Sequence, residues 1–255
     1  MKRPAKSKST GRPRQKRRVI NKKRVILSIF LLAIGAELVF ALLTSPMFAV
    51  KTIKVVHNQT VSDRQVLQAL RLPQDANIFR INKDSVLREV RRNPVVKEAS
   101  LRRRIPTTLI VLINERRPLF ILSTAGALYQ VDSYGVPFRQ DKTLNGKLPV
   151  IFCEVRKRII LGLPIRDSAF DSAKECLLLA QAKKVFRGIR ITVDQKSDLC
   201  LNVRDDFQVK LGRPEQLARK LDYAEHVIQQ SPEFQKRGEY IDVTCLEAPA
   251  YKLKE

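Results

Sequence analysis

Tryptophan is absent from this chain, histidine occurs twice and cysteine four times. His57 and His226 stand far apart, and Cys153, Cys176, Cys200 and Cys245 form no C-x-x-C pair, so the ligand spacing of a zinc site is missing. The cysteines leave two readings open: disulfides in an exported region, or buried free thiols. Glycine is also sparse. No two of the nine glycines lie closer than nine residues, which excludes a Walker loop, a Rossmann G-x-G-x-x-G and a G-x-S-x-G elbow. Neither histidine has a nucleophile or ligand pattern beside it. Asp132 and Asp242 make the best acid pair, but both fall at strand ends, where turn hydrogen bonding is the plainer role. The expectation is a chain without enzymatic activity, metal or cofactor.

Acid is missing from one region altogether. Residues 1 to 24 carry twelve Lys and Arg and no Asp or Glu, within a chain of net charge +24. From Lys51 onward there are 37 basic and 24 acidic residues, a net +13 suited to anionic surfaces such as lipid headgroups. The tail and the remainder are separate electrostatic objects.

Between them runs VILSIFLLAIGAELVFALL, Val25 to Leu43, with thirteen Val, Ile, Leu or Phe residues and one charge, Glu37. As a helix it spans roughly 28 Å, close to the hydrocarbon thickness of a bilayer. The apolar residues contribute about −4 to −8 kcal/mol to insertion and one central acid costs about 3, so insertion wins. Glu37 admits two readings, a passenger tilted toward the outer interface or a contact with a partner helix. A signal peptide normally has a shorter apolar run and a small-x-small cleavage site, whereas Thr44-Ser45-Pro46-Met47-Phe48 follows here. The segment is therefore expected to stay as an anchor. The all-basic tail then remains cytoplasmic and residues from about 47 to Glu255 lie outside. Such a tail has the composition of a nucleic-acid arm. Its place against a span makes topology and anionic lipid the plainer reading, and no nucleic acid is expected.

After Phe48 the pattern becomes short alternations broken by helical stretches. Ala49 to Val56 alternates as a strand, and Ser62 with Gln65 has capping-box spacing ahead of Val66, Leu67 and Leu70. A second helix is expected over Asn82 to Arg92, ended by Asn93-Pro94. Val95 to Arg104 and Thr107 to Arg116 read as strands around an Ile105-Pro106 turn. Later strands are expected near Phe120 to Ser123, Ala127 to Val131, Ile189 to Val193, Leu199 to Val203 and Phe207 to Leu211. Helices are expected from Arg166 to Val185 and from Pro214, early in its first turn, through Ile228.

Strand, helix, helix, strand, strand immediately after an anchor is the order of a POTRA domain. The stretch NIFRINKDSVLREVRRNPVVKEASLRRRIPTTLIVLINERRPL, Asn77 to Leu119, resembles the FtsQ/DivIB family of bacterial division proteins. LYQVDSYGVPF at Leu128 to Phe138, VKLGRPEQLARKL at Val209 to Leu221 and YIDV at Tyr240 to Val243 continue the likeness. Val95 and Ile105 stand where the family often has tryptophan, His57 where a turn glycine is common, and Thr244-Cys245-Leu246-Glu247 where Arg-Tyr is usual. The resemblance implies an α+β chain: a tail over residues 1–24, a single transmembrane helix over 25–43, a β-α-α-β-β POTRA domain over 48–118, and a β-rich domain with two helices over 119–255.

It also implies a function. The family organises the division machinery at the septum of the inner membrane, and its last strands take up a strand from an FtsB-like protein that pairs with an FtsL-like one. An open sheet edge offers unpaired N–H and C=O groups for such addition. By that resemblance the partner-binding residues are Tyr240, Val243, Thr244, Cys245, Ala250 and Tyr251, with Lys196 as a charge contact. Other divisome membrane proteins, and lipids at the span and tail, complete the expected partners. The competing reading is a POTRA-bearing component of secretion or outer-membrane assembly. Such proteins usually add a transmembrane barrel of many amphipathic strands, and the helices after residue 119 argue against one.

Overall fold

The computed structural model describes residues 22–144, 146, 148–186 and 188–254, so most of the basic tail lies outside the described residues. Helix α1 (Lys22–Thr44) buries none of its residues. Its large apolar side chains, Leu32 and Phe40 among them, stay exposed, as those of a helix made to meet lipid would. Among the described residues it is the one helix long and apolar enough to cross a membrane.

The next five elements are β1 (Thr52–Val56), α2 (Asp63–Leu70), α3 (Lys83–Arg91), β2 (Val96–Arg104) and β3 (Thr108–Glu115). Their sheet has the order β1-β3-β2, with β1 parallel and β2 antiparallel to β3. Alternation along β3 turns Leu109, Val111 and Ile113 into a core shared with Val66 and Leu70 of α2 and Leu87 and Val90 of α3. Both helices begin where local chemistry dictates. Ser62 and Gln65 form the complete capping box, and the Asn82 side chain accepts the N–H groups of Asp84 and Ser85. Strand β1 starts three residues later than the alternation suggests, because Val50 gives its N–H to the Ala76 carbonyl at 2.9 Å and Ala49 bridges to Asn77. His57 adopts φ 66°, accepting the left-handed conformation that costs a non-glycine residue about 1–2 kcal/mol.

The Glu115-Arg116-Arg117-Pro118 run joins the two halves of the chain. Glu115 Oε1 accepts the N–H groups of Gln59, Thr60 and Val61 at 2.8, 2.9 and 2.9 Å, which fixes the turn after β1. Burial pushes the Glu115 carboxyl up, but the backbone donors of Val61, Gln59 and Thr60 together outweigh it and leave it below the ordinary value. Glu115→Gln is therefore expected to lose stability at neutral pH. The carboxylate's contribution is present above the unfolded value of about 4.3 and is lost as pH falls through the lower folded value. Urea unfolding of parent and variant should differ at neutral pH and converge in acid. Equal stabilities at neutral pH would contradict the role.

Among the described residues, nine strands form one sheet in the second domain. They are β4 (Phe120–Thr124), β5 (Ala127–Val131), β6 (Pro137–Asp141), β7 (Val150–Phe152), β8 (Arg190–Val193), β9 (Leu199–Arg204), β10 (Phe207–Gly212), β11 (Gly238–Asp242) and β12 (Ala250–Leu253). Their spatial order is β12-β11-β10-β9-β8-β7-β4-β5-β6. Helices α4 (Ser168–Gln181) and α5 (Leu217–Gln230) bury Phe170, Leu177, Leu221 and Ile228 against Leu201, Val209 and Ile241 of the sheet. A third, short helix, α6 (Pro232–Arg237), follows α5. Helix α5 begins at Leu217, so Pro214 lies in the turn before it and not in its first turn. Buried Lys220 donates to the carbonyls of Leu211 and Arg213 at 2.7 and 2.9 Å and closes that turn. All four cysteines are free thiols. Burial pushes the Cys153 and Cys176 thiols up to about 11 and about 12, so both behave as small apolar core residues.

A candidate partner-binding edge

Strand β11 lies inside the sheet, between β10, to which it runs parallel, and β12, to which it runs antiparallel. The register pairs Tyr240 with Lys252, Ile241 with Tyr251 and Asp242 with Ala250. Val243 gives its N–H to Lys210 of β10 at 2.9 Å, and Lys254 gives its own to Arg237 at 2.8 Å. Successive residues of a strand direct their backbone groups to opposite sides. Ile241 and Val243 therefore face β10, Tyr240 and Asp242 face β12, and Ala250 and Lys252 face back toward β11. The N–H and C=O groups of Tyr251 and Leu253 point away from the sheet. Beyond β12 no further strand is present among the described residues.

The expected binding residues are thus sorted by position. Ala250 and Tyr251 stand on the free edge, and both are exposed. Tyr240 is one strand in and half-buried, with the Lys210 ammonium 4.5 Å above its ring. Val243 is fully buried in the core, so its side chain is a packing residue and not a surface contact. Thr244 and Cys245 lie in the loop between β11 and β12, outside both strands. A proline at either place therefore removes no ladder donor. The chain leaves the ladder there because Asp242 Oδ1 takes the Thr244 N–H at 3.0 Å. Lys196 is exposed at the tip of the β8–β9 hairpin, at the same end of the sheet as the β11–β12 loop but three strand positions from β12, roughly 14 Å.

Two further edge residues, Lys252 and Leu253, were not among those expected. The alternation Ala250-Tyr251-Lys252-Leu253 after Pro249 was the available signal, since a proline readily precedes an edge strand.

Local packing holds this edge in place. A Cβ on Gly212, at φ +64°, would lie 2.6 Å from the Thr244 Cγ2, so only glycine lets the β11–β12 loop settle on the end of β10. Gly238 is as constrained, its missing Cβ falling 2.7 Å from the Phe234 carbonyl oxygen. The Tyr251 ring meets Phe234 of α6 edge-on at 5.4 Å, and Phe234 in turn packs on Phe207 at 6.3 Å. Lys252 pairs with Glu239 at 2.9 Å and Lys254 with Asp206 at 2.6 Å. The Lys254 ammonium holds the Asp206 carboxyl below its ordinary value, and Glu239 raises Lys252. The opposite edge of the sheet is less open, because Gly162 donates to the Pro137 carbonyl of β6 at 2.8 Å.

Such an edge can receive an extended strand through main-chain bonds, each worth about 0.5–1.5 kcal/mol net. Tyr251, Lys252 and Tyr240 are the side chains nearest to it that are able to select a partner. Among the described residues no group of three or more His, Cys, Asp or Glu is placed to hold a metal ion.

Comparison with known proteins covers the two folded domains. Residues 48–116 match the FtsQ-type POTRA domain, and residues 121–244 match the C-terminal domain of the cell division protein FtsQ/DivIB. The chain is 26% identical over 228 residues to the cell division protein DivIB of Clostridium acetobutylicum, covering 86% of this chain and 88% of that one. It is 26% identical over 199 residues to the cell division protein FtsQ of Syntrophotalea carbinolica, covering 71% and 68%. A DivIB from Clostridium botulinum strain Hall is 20% identical over 254 residues, 94% of either chain. These matches do not favour a secretion or outer-membrane assembly component. An apolar N-terminal helix, an FtsQ-type POTRA domain and an FtsQ/DivIB C-terminal domain, in that order, make the chain a member of the FtsQ/DivIB family of bacterial cell division proteins.

Proposed function

We propose that the chain is a non-enzymatic scaffold of the division machinery. Helix α1 anchors it in the bacterial inner membrane at the septum, with the basic tail in the cytoplasm and both folded domains outside. The charge asymmetry about α1 supports that orientation, because Lys and Arg resist translocation. The free edge of β12 takes up a strand from an FtsB-like membrane protein, itself paired with an FtsL-like one, and so gathers further divisome proteins. The observation that carries this reading is the outward-facing backbone of Tyr251 and Leu253 on an edge to which no other described strand is paired. The binding set becomes Ala250, Tyr251, Lys252 and Leu253, with Tyr240 beside them and Thr244, Cys245 and Lys196 at the same end of the sheet. The tail contacts anionic lipid and not nucleic acid.

The test is capture of the tagged full chain from detergent-solubilised membranes of its own host, with co-purifying proteins identified by mass spectrometry. Small single-span division proteins are the expected company. Recovery of secretion or outer-membrane assembly components in their place would overturn the proposal.

A further inference from the structure

Helix α1 passes into the first domain without a loose linker. Asn77 Nδ2 donates to the Leu42 and Ser45 carbonyls at 3.0 and 3.4 Å, satisfying a carbonyl that the helix end leaves free. Ile78 gives its N–H to the Phe48 carbonyl at 2.8 Å. The α2–α3 loop is thereby fastened to the last turn of the span. Between the two lies a groove of about 1160 Å³, lined at one end by Leu43 and Thr44 and elsewhere by Lys51, Arg71 and Arg80. All three basic residues are exposed. Of the acids in the lining, Glu89 is already paired with Arg92 at 2.9 Å and Asp75 stands alone against three cations.

Two apolar side chains project beside this groove. Met47 is 64% exposed directly after α1, and Ile105 is 61% exposed at the tip of the β2–β3 turn, next to Arg104. That turn belongs to the same face, since Lys51 donates its N–H to Thr107 at 2.9 Å and the Arg103 guanidinium reaches the Ile81 carbonyl at 2.8 Å. A 23-residue helix is about 35 Å long, slightly more than the hydrocarbon core, so the groove opens at the depth where acyl chain gives way to phosphate. Cations with apolar tips at that depth are the complement of a phospholipid surface.

We propose that the groove binds the phosphate-bearing headgroup of an anionic phospholipid. Lys51, Arg71 and Arg80 meet the phosphate, while Met47 and Ile105 enter the apolar boundary. The inference rests on α1 being a membrane span. Its consequence is a first domain held at a fixed tilt, which sets the height and direction in which the β12 edge is presented.

The experiment places the full chain in nanodiscs of phosphatidylcholine alone and in discs with about one third phosphatidylglycerol, and follows amide hydrogen exchange over residues 70–82. The anionic discs are expected to slow exchange there by about fivefold or more, since each cation near an anionic surface changes affinity by roughly that factor. The variant Lys51→Gln/Arg71→Gln/Arg80→Gln should lose the difference while melting like the parent, and Arg80→Gln alone should lose part of it. Equal exchange of the parent in both discs would overturn the site, as would a triple variant that keeps the difference. Inorganic phosphate added to phosphatidylcholine discs is expected to protect nothing. Protection equal to that of the anionic lipid would mean a free-anion site and overturn the lipid assignment. Exchange of residues 25–43 is read in the same data, so a failure of the span itself is seen separately.

Discussion

Asp132→Ala should lower the stability of the folded chain by about 3–5 kcal/mol, the range for removing one partner of a buried ion pair. Asp132 is nearly inaccessible and performs two tasks at once. Its Oδ1 accepts the N–H groups of Tyr134 and Val136 at 2.9 and 3.0 Å, which builds the turn between β5 and β6. Its Oδ2 meets Arg116 Nη1 at 2.6 Å, and Arg116 Nε donates to the Pro94 carbonyl at 3.1 Å. Arg116 leaves the first domain at the end of β3, so this pair couples the two domains. Loss of the carboxylate strands a guanidinium in a mostly buried place and two N–H groups without acceptors. The expected result is a midpoint lower by roughly 6–20 °C in thermal unfolding of the detergent-solubilised chain, at about 2–4 °C per kcal/mol. In a double-mutant cycle, Arg116→Ala with Asp132→Ala should cost less than the sum of the singles by at least about 1 kcal/mol. Additive losses would mean that the two side chains do not act together.

Much of the first domain was legible because its signals are local. Capping chemistry at Ser62 and Asn82, the apolar spacing on α2 and α3 and the alternation of β3 all act within a few residues. The second domain was legible where apolar alternation or β-branched residues mark a strand on their own. Strand β7 has three residues and β6 opens on a proline, so neither carries a period, and α6 has too few residues for a helical stripe. The family resemblance pointed to the final strands, but the free edge itself could not be read from Tyr240-Ile241-Asp242-Val243-Thr244. That run looks like one continuous strand, yet β11 pairs in parallel with β10 across two intervening helices. Strand β12, returning antiparallel after residues 243–249, then covers the other side of β11 and turns a strand that looks terminal into an internal one. Pairing of Arg116 with Asp132, and of Gly212 with Thr244, is hidden for the same reason: each joins residues that no period relates.

The claim that β12 is the partner edge is tested most directly by two neighbouring prolines. In Tyr251→Pro the lost N–H points outward, so the intrachain ladder to β11 keeps its donors and the domain should stay folded. A strand added from outside loses that donor and meets the proline ring, so capture of the proposed FtsB-like partner should fall to near background. In Lys252→Pro the lost N–H faces β11, so the last strand itself should come away and the melting profile should change. Tyr251→Ala serves as the side-chain control. It keeps every backbone group and gives up only the edge-on contact with Phe234, so it should weaken capture only in part. The deciding measurement is partner capture and circular dichroism on the full-length Tyr251→Pro chain. A parental spectrum with binding nearly abolished is expected, and a parental spectrum with undiminished binding would rule out strand addition at β12.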